Sequence, residues 1–211
     1  MAIRVLLADD HALVRQGLRR ILESRTEFEV VAEAGTGAEA VDLVRLCQPD
    51  VAVLDVTMKG LNGLDALIQI RKQARRTRCL VLSMHADERY VFRAMRDGAR
   101  GYVLKDCVED ELIEALLAVH RGELFLSRDV APFANPGASG SPPEDRYDRL
   151  TDRERHIYQL LAEGNSNKDI ANSLGLSLHT VETHRARIMD KLGLHTAAEL
   201  VLSAVRRGLV S

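Results

Sequence analysis

Two apolar runs of this chain end in carboxylates. Ile3-Arg4-Val5-Leu6-Leu7-Ala8 stops at Asp9 and Asp10, and Val51-Ala52-Val53-Leu54 stops at Asp55. Two later runs end in the groups that phosphoryl chemistry also needs: Cys79-Leu80-Val81-Leu82 at Ser83, and Gly101-Tyr102-Val103-Leu104 at Lys105. Three crowded carboxylates repel one another and raise at least one pKa unless a cation sits among them. Mg²⁺ (or Mn²⁺) resolves that conflict, because it takes oxygen ligands and is commonly held by one or two carboxylates plus a phosphate. The set points to a magnesium-dependent phosphoacceptor site. Asp10 and Asp55 hold the metal, Asp55 attacks phosphorus to become an acyl phosphate, Lys105 neutralises charge on the phosphoryl oxygens, and Ser83 hydrogen-bonds one of them.

Such a site needs a scaffold that brings strand ends together. Strand-like runs near 3–8, 28–34, 51–55, 79–83 and 101–104 alternate with helix-period segments at Ala12 to Ser24, Gly37 to Leu46, Gly63 to Ala74, Asp87 to Asp97 and Val108 to Arg121. This alternation reads as an α/β parallel sheet with helices on both faces. In open sheets of this kind, ligands bind beyond the carboxyl ends of the strands. Residues 127–148 then hold every proline but Pro49, together with Gly and Ser. The expected organisation is a phosphoacceptor domain over 1–122, a flexible linker over 123–148, and a second domain over 149–211.

Composition narrows the class. With 211 residues and 46% hydrophobic content, the chain can build two modest cores. No apolar run is long enough for a membrane span, and the start MAIRVLLADD lacks a signal-peptide pattern. The reading is therefore cytoplasmic, with no membrane partner. The three cysteines, Cys47, Cys79 and Cys107, form no CxxC and read as inert thiols. Residues 1–148 carry 20 Lys+Arg against 24 Asp+Glu, and residues 149–211 carry 9 against 7. A surplus of two cations does not establish nucleic-acid binding, so a motif must carry that claim.

The second domain supplies one. Four helical segments are expected: Thr151 to Glu163, Ser166 to Leu174, Leu178 to Leu192 and Thr196 to Arg207. Thr151-x-x-Glu154 and Ser166-x-x-Asp169 are capping-box patterns. Gly175 ends the second segment, and Ser177 leads into the third across a short helix-turn-helix connection. At helical spacing Val181, Ile188 and Leu192 form an inward stripe, while Glu182, Thr183, Ala186, Arg187 and Asp190 face out. In a major groove, Glu182, Thr183 and Ala186 would lie near base edges, Lys168, Arg185, Arg187 and Lys191 are candidates for phosphates of double-stranded DNA, and Thr180 is a further DNA-binding candidate. Leu200, Val201, Ala204 and Val205 share a stripe on the last helix.

Taken in order, Asp9-Asp10, Asp55 in DVTMKGLNG, Ser83 in LVLSMH and Lys105 in GYVLKD resemble the receiver domain of bacterial response regulators. The tail LTDRERHIYQLLAEGNSNKDIANSLGLSLHTVETHRARIMDKLGL is similar to the LuxR-type helix-turn-helix, so the chain resembles the NarL/FixJ class. The resemblance implies a flavodoxin-like, doubly wound sheet of five parallel strands in the order 2-1-3-4-5, followed by an all-α four-helix domain. It also implies a phosphorylation-activated transcription regulator rather than an enzyme acting on a separate substrate. Asp55 would accept phosphate from a sensor histidine kinase. Asp9, Asp10 and Asp55 would hold Mg²⁺ with the backbone carbonyl of Thr57, and Tyr102 would be the switch aromatic that turns inward when Ser83 moves. The stripe Leu200, Val201, Ala204, Val205 would pair a homodimer when the protein is phosphorylated, the alternative being that it packs against its own domain, because a four-helix domain needs that surface for its core too. Two departures concern phosphate lifetime. Lys59 replaces the family's usual proline, and Met84 stands where many receivers have a small residue.

Blander readings compete at each residue. An acid pair after a strand can simply cap the next helix. Gly35-Thr36-Gly37-Ala38-Glu39-Ala40 satisfies a local dinucleotide fingerprint, but it follows the second strand and leaves the other strand ends unexplained. A haloacid-dehalogenase-like phosphatase needs a second acid where Thr57 stands. Two rival roles remain: a DNA-binding protein whose first domain only dimerises, and a phosphate relay that binds no DNA.

Overall fold

The computed structural model describes residues 1–106, 109–134, 146–207, 209 and 210. The chain divides into two compact units, which are described separately.

The first unit alternates β1 (Ile3–Ala8), α1 (Ala12–Glu23), β2 (Phe28–Ala34), α2 (Gly37–Cys47), β3 (Val51–Asp55), α3 (Gly63–Gln73), β4 (Arg78–Ser83), α4 (Glu88–Asp97), β5 (Gly101–Leu104) and α5 (Glu109–Arg121). Every strand pairing among the described residues is parallel, in the order β2-β1-β3-β4-β5 with a sixth strand, β6 (Phe125–Leu126), beyond β5. Every residue of β3 and β5 is buried, as the apolar runs 51–54 and 101–104 require of strands covered on both faces. The register decides which side chains meet. Ala8 pairs with Leu54, Asp55 with Leu82 and Ser83 with Leu104, so Asp9, Asp55, Ser83 and Lys105 finish level along one sheet edge.

A sixth strand corrects the five-strand expectation. Phe125–Leu126 (β6) pairs with Gly101 and Tyr102, and Ser127 donates its amide to the Tyr102 carbonyl at 3.0 Å. Without it, the unpaired backbone groups along β5 would lie at the edge of the sheet. The chain goes on to bury Val130 completely and to form a 3₁₀ turn, Ala131–Ala134, that packs on α4. A further 3₁₀ turn, Arg146–Arg149, places the buried Tyr147 in the core of the second unit. Both ends of the expected 123–148 linker are thus structured, and its centre, 135–145, lies outside the described residues. So do Val108, the expected start of α5, and Cys107.

The second unit contains α6 (Asp152–Ala162), α7 (Asn167–Leu174), α8 (Leu178–Leu192) and α9 (Ala197–Arg206). Both capping boxes form as their sequences direct: Thr151 with Glu154, and Ser166 with Asp169. Gly175 and Gly193 end α7 and α8 with left-handed backbone, at φ 63° and 68°. Ile157, Tyr158, Ile170, Val181, Ile188, Leu192 and Leu200 are among the residues of the core they enclose.

Candidate functional site

The strand ends converge on a buried cluster. Lys105 Nζ lies 2.7 Å from Asp9 Oδ2 and 2.9 Å from Asp55 Oδ2, with Asp9 1% and Asp55 3% exposed. Burial pushes the Asp55 carboxyl up to about 6, against the pull of the Lys105 ammonium and the Thr57 backbone amide. Burial draws the Lys105 ammonium down, but its contacts to Asp9 and Asp55 outweigh this and leave it above its ordinary value. One cation thus faces two carboxylates, with Asp10 beside them.

The donor set fits a hard divalent ion. One ligand atom from each of Asp9, Asp10, His11 and Asp55 lies within 4.8 Å of all the others. Asp9 Oδ2 and Asp55 Oδ2 face the Lys105 ammonium and Asp10 Oδ1 faces His11 Nδ1, and each carboxylate oxygen has a second lone pair that a metal could take. Neither acid is itself the N-cap of α1. His11 is the N-cap of α1 and makes no side-chain cap bond, while its amide donates to Asp9 Oδ1 at 2.8 Å. His11 is also the residue that strand-end reasoning passed over. Its Nδ1 stands 2.8 Å from Asp10 Oδ1, and its adjacency to the acid pair was the available signal.

The loop after Asp55 is set by a glycine. A Cβ on Gly63 would fall 1.9 Å from the Asp55 carbonyl oxygen, and the Gly63 amide donates to the Val56 carbonyl at 3.0 Å. Only glycine lets the chain fold back this closely beneath the candidate nucleophile. Lys59 and Met84, the two departures, are exposed, Met84 by 71%.

Beside the acids, Ser83 is fully buried, and its Oγ accepts the His85 amide at 3.0 Å. Tyr102 is also fully buried and already turned inward, with its hydroxyl donating to the His85 carbonyl at 2.7 Å. Burial raises its phenol pKa. His85 stacks on Tyr90 with ring centroids 4.6 Å apart. The strand carrying Tyr102 is tied on its other side to β6 through Ser127, whose Oγ accepts the Leu104 amide at 3.2 Å.

In the second unit, α8 follows the expected helical pattern. Val181, Ile188 and Leu192 are buried, and Glu182, Ala186, Arg187 and Asp190 are exposed. Lys168 is exposed on α7. Thr180 bonds Ser177 at the helix start, Thr183 bonds the His179 carbonyl, and Arg185 reaches Asn167 at 3.3 Å. Two of the candidates already have roles inside their own domain. Lys191 Nζ lies 2.6 Å from Glu154 Oε2, whose side chain is 4% exposed, so the first partner of this candidate phosphate contact is a carboxylate of its own domain. Burial works against Glu154 ionising, yet Lys191 and Thr151 hold its pKa below the usual carboxylate range. The expected dimer stripe is also divided. Leu200 and Ala204 belong to the domain core, at 2% and 0% exposed, whereas Val201 and Val205 are 39% and 45% exposed. A four-helix domain needs the inner half of α9 for itself.

The match to known families covers both units. Residues 5–117 fit the response regulator receiver domain, and residues 148–204 fit the bacterial regulatory proteins of the luxR family. The oxygen regulatory protein NreC of Staphylococcus carnosus is 37% identical over 99% of both chains. Among solved structures, the response regulator ChrA of a heme-sensing two-component system is 34% identical over 99% of each chain, with TM-score 0.55. RcsB, solved as two dimers bound to two parallel DNAs, is 25% identical over 97% of this chain and all of its own, with TM-score 0.59. The chain belongs to the two-component response regulators that join a receiver to a LuxR-type DNA-binding domain, a family of transcription regulators rather than enzymes. Among the described residues, no helix is long and apolar enough to cross a membrane.

Proposed function

We propose that Asp55 accepts a phosphoryl group from a sensor histidine kinase and that the modified chain dimerises on double-stranded DNA. The observation that carries this reading is the Lys105 ammonium held between Asp9 and Asp55. Asp55 Oδ forms a bond to phosphorus as the bond to the donor breaks, and the donor leaves with its electron pair. Mg²⁺ or Mn²⁺, held by Asp9, Asp10 and Asp55 with the Thr57 carbonyl, would supply charge neutralisation at the phosphoryl oxygens. Lys105 stays on the phosphoryl group as a permanent cation, and Ser83 donates its hydroxyl to it.

That shift of Ser83 releases the His85 amide and alters the bond from Tyr102 to the His85 carbonyl. Tyr102 pairs with β6, so the change reaches the start of the interdomain segment. The DNA reading rests on family membership and on the outward row Glu182, Ala186 and Arg187. Val201 and Val205 are the apolar residues that α9 has left for pairing two copies. A net +2 in residues 149–211 gives modest electrostatic attraction, so two linked half-site contacts are the physically sensible mode. Incubation with Mg²⁺ and acetyl phosphate tests the receiver step. A phosphoryl adduct by intact mass, absent in Asp55→Ala and accompanied by a shift to dimer, is expected. No adduct on folded wild type would reduce the receiver to a constitutive module.

A further inference from the structure

The receiver carries a second charged feature at the opposite end of its sheet. A cleft of about 820 Å³ opens between the C-terminal ends of α3 and α4 and the first residues of β4 and the β5 approach. Arg71, Lys72, Arg75, Arg78, Arg96 and Arg100 line it, with Asp97 the single acid among the lining residues. Residues 1–148 are acidic in balance, yet six of their 20 cations gather here. Along β4 the cleft lies roughly 17 Å from Ser83 at 3.3 Å per residue, so it is separate from the phosphoacceptor cluster.

Cations at helix C-termini are ordinarily explained by the helix dipole, and part of the cluster has that role. Arg71 donates to the Asp97 carbonyl at 2.8 Å, and Arg78 donates to the His120 carbonyl at 2.8 Å. Gly98 makes room for the first contact: at φ 100° it has no Cβ, and an added one would lie 1.7 Å from Arg71 Nη1. Asp97 is taken up by Arg96 at 3.0 Å and Arg93 at 3.5 Å. Arg75 and Arg100 are left over. Both are exposed, and among the described residues neither has a side-chain partner. Those bonds hold Arg71 and Arg78 in place along the wall of the same cleft that Arg75 and Arg100 line. Preorganised arginine forks in a concave site of this size match a compact anion better than an extended surface.

We propose that this cleft binds a small anion carrying adjacent phosphates, with Arg75 and Arg100 as the added contacts and Arg71 and Arg78 as the fixed ones. Both an inorganic oligophosphate and a nucleoside triphosphate offer that chemistry. Calorimetry on the full chain at low salt, without Mg²⁺, would use tripolyphosphate and a nucleoside triphosphate as separate probes. Saturable tripolyphosphate binding is expected, weakened at least about tenfold in the Arg75→Ala/Arg100→Ala double variant and unchanged in Arg76→Ala, which removes an exposed cation outside the cleft. Tighter binding of the nucleoside triphosphate would assign a nucleotide ligand, and equal binding an inorganic one. The proposal is overturned by no tripolyphosphate binding, by equal binding in the double variant, by an equal loss in Arg76→Ala, or by duplex DNA being retained where tripolyphosphate is not. Adduct formation with acetyl phosphate should be the same in all three proteins, which separates this site from the reading of Asp55.

Discussion

Two lysines chosen for their charge sit in similar surroundings and have different consequences. Lys105 and Lys191 each hold a nearly buried carboxylate within hydrogen-bond distance. Around Lys105 the carboxylates outnumber the cation and keep unfilled lone pairs, so the cluster is poised to take up more positive charge. Around Lys191 a single carboxylate, Glu154, is satisfied by that lysine and by the Thr151 capping box, so the arrangement is closed. A functional cation is distinguished by what its partner still lacks, not by the contact itself.

The largest expected contrast is at the receiver. Asp55→Ala should abolish the adduct entirely while circular dichroism stays unchanged, and Lys105→Ala should still label but lose the shift to dimer, as read by intact mass and light scattering. Next is the brace. Lys191→Met leaves a buried carboxylate without its cation and should cost the second domain about 1–2 kcal/mol, measured by thermal unfolding. Its acid limb should also change. The folded pKa of Glu154 is depressed, so its stabilisation is present above the ordinary carboxylate value and is lost as pH falls through the folded one. In Lys191→Met that loss should flatten. Arg187→Ala should weaken DNA binding uniformly and lower the salt slope by about 1, and Lys191→Met, if it acts only as a brace, should leave the slope unchanged. A drop of similar size for Lys191 would collapse the distinction. The smallest effect is at Cys79, whose buried thiol is pushed up to about 12 and should resist alkylation in the native state at pH 8.

Strand-end chemistry and helix periods were legible because each residue type has a physical reason at its place. Asp9, Asp55, Ser83 and Lys105 terminate apolar runs, and the parallel register aligns those ends. The inward stripe of α8 followed from its spacing in the same way. What was not legible depends on partners remote in sequence. Phe125–Leu126 is too short to show alternation and forms a strand because β5 offers it a free edge. Period showed that α9 has an apolar face but could not divide it between the domain core, which takes Leu200 and Ala204, and the exposed Val201 and Val205. Lys191 looked like other surface cations until Glu154 came near across 37 residues.

A phosphoryl group on Asp55 is proposed to control DNA recognition by α8. Selection from a random duplex pool by the full chain, with and without Mg²⁺ and acetyl phosphate, tests it most directly when wild type and Asp55→Ala are run in parallel. Phosphorylated wild type should enrich a sequence with two half-sites, and Asp55→Ala should not respond to acetyl phosphate. Equal enrichment by Asp55→Ala and phosphorylated wild type would contradict it.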